Sequence, residues 1–259
     1  MDNYHVCRVA VAPLRKEQSD RSEITSQLLF GDRVAVLELT EKWCLVKTYD
    51  DEYEGWMDYK QLHKITSLQF FNDEAYQFVT PAQLDNTIVA NNGSKIYLSP
   101  GSTLPYYDNG FCYLGDNKFE VGSKPFIPNK AAFKLNVRST AKFFENVSYL
   151  WGGRTFFGID CSGFVQAVYK LNGIQLKRDA AQQAEQGETV DFLASAELGD
   201  LAFFDNEDGK ITHVGLMLGN DQIIHAAGMV RIDPIDDQGI YNQELGKHTH
   251  KLRIIKRFV

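Results

Sequence analysis

Apolar residues over the first 65 positions come in short runs separated by polar and turn-forming residues. Val6–Val11, Leu28–Phe30, Arg33–Leu39, Trp43–Thr48 and Gly55–Met57 are such runs, and Thr40-Glu41-Lys42 is one of the breaks. Strands this short and this regularly spaced predict a small β barrel over 1–65. Residues 66–125 are β-like again, with runs at Thr87–Ala90, Ser94–Leu98 and Phe111–Leu114 and turns at Asn92-Gly93 and Pro100-Gly101. They read as a second, degenerate barrel. Lys124-Pro125-Phe126-Ile127-Pro128 reads as a linker, because a residue before proline is pushed out of the helical region. Beyond it the period changes. Ala131 to Leu150 has helical spacing, with Phe143, Phe144 and Val147 on one stripe. A second helix is predicted from Cys161 to Leu171, stopped by Asn172-Gly173. Strand-like runs follow at Asp200–Asp205, Ile211–Leu218, Gln222–Ala226 and Leu252–Phe258. Helices followed by an antiparallel sheet define an α+β domain over 126–259.

Composition narrows the partners more than the fold. The chain is 44% hydrophobic and 24% charged, as an ordinary globular protein is, which excludes coiled coil, collagen and wholesale disorder. It carries 27 Lys and Arg against 34 Asp and Glu, a net charge of −7. No basic patch is visible, so no nucleic-acid partner is expected. No run reaches the roughly 20 apolar residues of a membrane helix, and no membrane association is expected. The N-terminus has no basic stretch followed by an apolar core, so a cytoplasmic protein, monomeric, is the expectation. Cys7, Cys44, Cys112 and Cys161 are scattered, with no paired spacing, and are read as free thiols in a reducing compartment.

One of the four cysteines stands out. Cys161 falls at the first turn of a predicted helix, behind glycines and with Asp160 as a plausible cap. The partial positive charge of a helix N-terminus favours a thiolate, and a nearby base would complete a nucleophile. His213, near the start of a predicted strand, is the candidate base, and Gly215 leaves space beside its imidazole. His225 lies on the next strand. If Gly219-Asn220-Asp221 forms a three-residue loop, Gly215 faces His225, which then lies diagonal to His213 on the same face. From there it would orient His213, as a carboxylate does in a serine triad. A four-residue loop would put the two histidines on opposite faces. The backbone N–H of Cys161 is the natural oxyanion donor, and Tyr149 could add its hydroxyl. Cys7, Cys44 and Cys112 read as small core hydrophobes. His248 and His250 share a strand face and could ligate a metal, but with no third ligand in sight neither metal nor other cofactor is expected.

The motifs carry a resemblance. Tyr149-Leu150-Trp151-Gly152-Gly153, Gly158-Ile159-Asp160-Cys161-Ser162-Gly163, Leu198-Gly199-Asp200-Leu201-Ala202-Phe203-Phe204, Thr212-His213-Val214-Gly215 and Ile224-His225 occur in this order. Over roughly 131–259 the chain resembles the NlpC/P60 family of papain-like cysteine peptidases, which cut cell-wall peptides. Leu29-Phe30-Gly31-Asp32, Trp43 and Tyr53-Glu54-Gly55-Trp56-Met57 resemble bacterial SH3-like domains, which often precede that module. The combination looks most like γ-D-glutamyl-L-diamino-acid endopeptidases acting on murein stem peptides, with diaminopimelate or Lys after the glutamate. The resemblance implies that Cys161, His213 and His225 are catalytic, that Tyr149 and Trp151 line the cleft, and that Ser162 belongs to the substrate-binding set. It further implies that Asp179 holds the free amine of an N-terminal L-Ala, and that Glu23 and Tyr53 from the first barrel close the far end. The chain departs from that pattern at Ala180, where those enzymes have a serine. Two other classes remain open: a wall-peptide binding module without catalysis, and an acyltransferase or amidase on the same scaffold. The intact Cys161, His213 and His225 set speaks against the first, and Asp179 with Tyr53 against the second.

Overall fold

The structure, a computed structural model, describes residues 3–259. The leader-free reading of the N-terminus starts on Met1 and Asp2, outside the described residues. Two compact units are present, Met1–Pro128 and Asn129–Val259.

In the first unit β1 (Tyr4–Cys7), β2 (Val11–Arg15), β3 (Ile24–Leu29), β4 (Arg33–Leu39), β5 (Trp43–Thr48), β6 (Glu54–Asp58) and β7 (Leu62–Lys64) form one sheet, in the order β3-β2-β6-β5-β4-β1-β7. The apolar run Val6–Val11 belongs to two strands, because the chain turns between Cys7 and Val11. A short helix, α1 (Ser67–Phe70), leads to a four-stranded sheet of β8 (Thr87–Ala90), β9 (Lys95–Tyr97), β10 (Phe111–Leu114) and β11 (Asn117–Val121), ordered β10-β11-β8-β9. The two sheets share a core. Val6 and Phe30 from the first pack with Ile88, Leu104, Cys112 and Leu114 around the second. A border at residue 65 therefore crosses continuous apolar packing, and residues 3–128 hold together as one body.

In the second unit the elements are α2 (Phe133–Phe143), the two-residue strands β12 (Arg154–Thr155) and β13 (Gly158–Ile159), α3 (Cys161–Leu171), α4 (Ala180–Gln183), β14 (Glu188–Val190), β15 (Leu201–Asp205), β16 (Ile211–Met217), β17 (Gln222–Ala227), β18 (Met229–Asp236), β19 (Gly239–Asn242) and β20 (Lys247–Arg257). The sheet runs β14-β20-β15-β16-β17-β18-β19, and β19 pairs again with β20, so six strands close on themselves. Phe164, Val165 and Val168 of α3 are fully buried, and the helix packs on β16 and β17. This seats its first turn against the strands that carry the histidines. α2 ends at Phe143 rather than at Leu150. The segment after it hydrogen-bonds to the sheet instead: the amides of Asn146 and Tyr149 donate to the carbonyls of Val230 and Gly228 at 2.8 and 2.9 Å. Phe144 and Val147 are buried all the same.

Candidate active site

Asp160 explains why a helix starts at Cys161. Its backbone is extended and its Oδ1 accepts from the Gly163 amide at 2.6 Å, which satisfies one of the open N–H groups of the first turn. Oδ2 accepts from the Gly152 amide at 2.9 Å, so one carboxylate ties the glycine turn to the helix. The two segments meet closely: a Cβ on Gly163 would lie 2.3 Å from the Gly153 carbonyl oxygen. Arg178 completes the cluster. It is 1% exposed, and its guanidinium donates to both oxygens of Asp160, at 3.1 and 2.6 Å, and to Ser162 Oγ at 2.8 Å. Ser162 Oγ in turn donates to Asp160 at 3.2 Å. Ser162 thus serves the cap of the nucleophile's helix, a role its motif did not reveal.

The Cys161 thiol is 6% exposed and receives backbone hydrogen bonds from Val214 and Ser162. Burial pushes the thiol up to about 11 and the Asp160 charge adds to this, while the two amides and Arg178 act in the other direction. The helix start alone therefore does not yield a resting thiolate, contrary to the expectation from its position. Desolvation outweighs it, and the thiol needs a base. His213 directly precedes Val214 on β16. Burial, followed by the electrostatic coupling to His225 and His250, which disfavours a further proton in the cluster, holds its pKa well below the ordinary 6.5. The ring is neutral at neutral pH and free to take a proton.

The β16–β17 turn obeys the parity demand. The Leu218 amide donates to the Gln222 carbonyl at 2.8 Å and Gly215 faces His225. His213 and His225 share a face, and Nε2 of the first lies 2.8 Å from Nδ1 of the second. Gly215 leaves less room than its sequence position implied: a Cβ there would lie 2.7 Å from Ile223 and 2.8 Å from His225 Cβ. The missing side chain is what lets β17 approach.

Two further side chains join this chain of rings. Asp233 on β18 is 2% exposed, and its Oδ2 lies 3.0 Å from His225 Nε2. His250 on β20 stacks on His213 with ring centroids 4.1 Å apart. Asp233 is not singled out by the sequence; it lies on β18, a strand that contains Pro234, and proline is a signal against a strand. The sequence places His250 beside His248, but the structure parts them: His248 hydrogen-bonds Asp236 at 2.9 Å. Nitrogens of His213, His225 and His250 lie within 4.8 Å of one another, so a metal can be considered. The fit is poor. Two of the nitrogens are joined by a hydrogen bond, and the His213 and His250 planes are within 28° of parallel, so their in-plane lone pairs do not converge on one ion.

Of the remaining candidates, Tyr149 stands close to the nucleophile. Burial, then the charges of Cys161 and Asp160, push its phenol up to about 12, so it is a hydroxyl donor. Trp151 is 61% exposed. Asp179 is exposed and caps α4. Gln183, at the other end of that helix, donates its Nε2 hydrogen to the Ser162 carbonyl at 3.2 Å, which holds α4 beside the first turn of α3. Tyr53, partly buried against the barrel core, and Glu23, exposed and 3.8 Å from Lys16, belong to the first unit.

Known proteins share this organisation. Residues 146–249 match the NlpC/P60 family, and residues 14–62 match the bacterial dipeptidyl-peptidase SH3 domain. A γ-D-glutamyl-L-lysine dipeptidyl-peptidase of Bacillus subtilis is 32% identical over 219 residues, covering 78% of this chain and 72% of that protein. Its namesake in Bacillus cereus is 29% identical over 262 residues, 90% of this chain and 77% of that one. A crystal structure of an NlpC/P60 family protein from Bacillus cereus superposes with a TM-score of 0.80 at 20% identity, covering 98% of this chain and 99% of that one. With a capped cysteine, a buried pair of histidines and relatives of this similarity, the chain belongs to the NlpC/P60 family of cysteine peptidases.

Proposed function

We propose that this peptidase hydrolyses the γ-D-glutamyl bond to Lys or diaminopimelate in murein stem peptides that carry a free N-terminal L-Ala. The observation that carries the reading is the Cys161, His213 and His225 cluster in a chain 32% identical to a γ-D-glutamyl-L-lysine dipeptidyl-peptidase. Cys161 attacks the γ-carbonyl carbon as His213 takes the thiol proton. The tetrahedral oxyanion is met by the Cys161 amide at the helix start and by the Tyr149 hydroxyl. Collapse expels the diamino acid, whose nitrogen receives the proton from His213. Water, deprotonated by the same ring, then releases the L-Ala-D-Glu part and restores the thiol.

Asp179 is the candidate reader of the substrate amine. It is exposed, and an ion pair in water is worth only about 0–1 kcal/mol. A strong preference for the free amine therefore requires that the bound peptide itself bury Asp179. Glu23 and Tyr53 are further candidates for that end of the substrate. A free amine marks a peptide already detached from its glycan, which fits recycling of wall fragments in the cytoplasm.

The test is hydrolysis of L-Ala-γ-D-Glu-L-Lys and its diaminopimelate counterpart, with products identified by mass. Release of L-Ala-D-Glu, abolished in Cys161→Ala while the fold persists, is the expected result. Acetylating the L-Ala amine is expected to lower kcat/KM at least about tenfold, the value of a charged hydrogen bond that has been desolvated. Equal rates for free and acetylated peptide would show that the amine is not read.

A further inference from the structure

A base next to a thiol is useful only if the nitrogen facing the thiol is bare. A neutral imidazole carries one donor and one acceptor nitrogen, and the partner of each decides which is which. In this protein the chain of partners has a fixed end. Asp233 is 2% exposed. Arg231 Nη2 donates to its Oδ1 at 3.0 Å, and Arg231 Nε lies 2.7 Å from its Oδ2. Burial works against the charge of Asp233, but the His225 hydrogen bond and the Arg231 pair outweigh it and hold its pKa below the ordinary value. The residue is a carboxylate and can only accept.

The polarity then propagates. His225 Nε2, 3.0 Å from Asp233 Oδ2, must be the donor. Its Nδ1 is left bare, and it lies 2.8 Å from His213 Nε2, which must in turn donate. His213 Nδ1 is therefore the bare nitrogen. The geometry points to Asp233 as a positioning residue of this peptidase, one that acts through His225 to keep the bare lone pair of His213 on Nδ1, the nitrogen left for the Cys161 proton. The inference rests on His213 as the base of Cys161. It adds a fourth member to the set, bound to neither substrate nor nucleophile. Its diagonal placement comes from the β17–β18 register, in which His225 faces Arg231 and Ile223 faces Asp233.

Ring ¹⁵N shifts of the six histidines, measured on the native protein labelled at histidine, read the tautomers directly. Protonated Nε2 and bare Nδ1 on both His213 and His225 are expected. A proton on Nδ1 of His213, or protons on both nitrogens of His225, would overturn the assignment. Asp233→Ala is expected to mix the two tautomers of both rings and to slow alkylation of Cys161 by iodoacetamide at neutral pH at least about tenfold, as a wrong tautomer does in a related triad. A variant with the native ring shifts and the native alkylation rate would equally refute it. Neither readout uses a peptide, so an error in the proposed substrate leaves this test intact. His213→Ala alkylated at the native rate would instead unseat His213 as the base.

Discussion

At Cys161 burial and reactivity pull in opposite directions. The same enclosure that keeps water from the thiol raises its pKa to about 11, so reactivity depends on His213 rather than on a standing thiolate. The other three cysteines are fully buried and pushed up to about 12, chiefly by that burial. Iodoacetamide is therefore expected to modify Cys161 first, as peptide mapping would report; earlier labelling of Cys44 or Cys112 would contradict this. The direction of the His213 shift sets a pH limb. Only the neutral ring accepts a proton, and a depressed pKa keeps it neutral as the medium becomes more acidic. The acid limb of kcat/KM is expected below pH 6.5, and a limb centred at or above 6.5 would be inconsistent with the buried ring. Arg178 is tested through its partner. Arg178→Met leaves the Asp160 carboxylate buried without its cation, at a cost of about 3–5 kcal/mol. Asp160→Asn added to it removes the stranded charge while keeping a capping oxygen, so thermal unfolding should show the double variant more stable than Arg178→Met alone.

Among the elements, the β16–β17 hairpin and the start of α3 demand close approach. Gly215→Ala would drive a methyl into Ile223 and His225, and Gly163→Ala would drive one into the Gly153 carbonyl. Each is expected to cost about 1–3 kcal/mol in thermal stability by overpacking. Gly215→Ala should also lower kcat/KM at least about tenfold, because displacing β17 lengthens the 2.8 Å contact between the histidines. Gly219→Ala in the same hairpin is the control. A Cβ there meets only Asp221, at 3.5 Å, so stability and rate should stay near the native values. Equal effects at Gly215 and Gly219 would mean that the hairpin tolerates a shift of β17.

For the whole molecule, histidine burial predicts how stability follows pH. Four of the six histidines, His5, His63, His213 and His250, titrate below the ordinary value, each chiefly through burial, and His250 is lowered to about 4. As pH falls through 6.5 the unfolded chain takes up protons on these residues that the folded chain refuses. Stability therefore falls with pH in this range. Carboxylates held below their ordinary pKa, such as Asp233, lose their contribution only nearer pH 4. The melting temperature is expected to decline between pH 7 and 5, and His250→Gln should flatten the decline. A constant melting temperature over that range would mean that these rings gain protons in the folded state.

Residue order alone determined a great deal of this protein. Strand and helix periods separate the β-rich N-terminal portion from the α+β unit, and the Cys161–Leu171 helix is legible to the residue because Asp160 caps it and Asn172-Gly173 stops it. Alternation along strands, a local rule, tied the placement of His225 to the length of the 219–221 loop, and the structure supplied the three-residue turn that puts it beside His213. Tertiary structure decided what local rules do not carry. β18 is a strand despite Pro234 because its neighbours complete the sheet, and with it came Asp233. His250 reaches His213 across β15, the strand that pairs with both β16 and β20, a neighbourhood set by the sheet order and not by sequence. Arg178, 18 residues from Asp160 in sequence, finds that carboxylate through packing alone. The state of the thiol belongs here too: a helix N-terminus can be read from sequence, but the desolvation that outweighs it exists only once the chain has folded around Cys161.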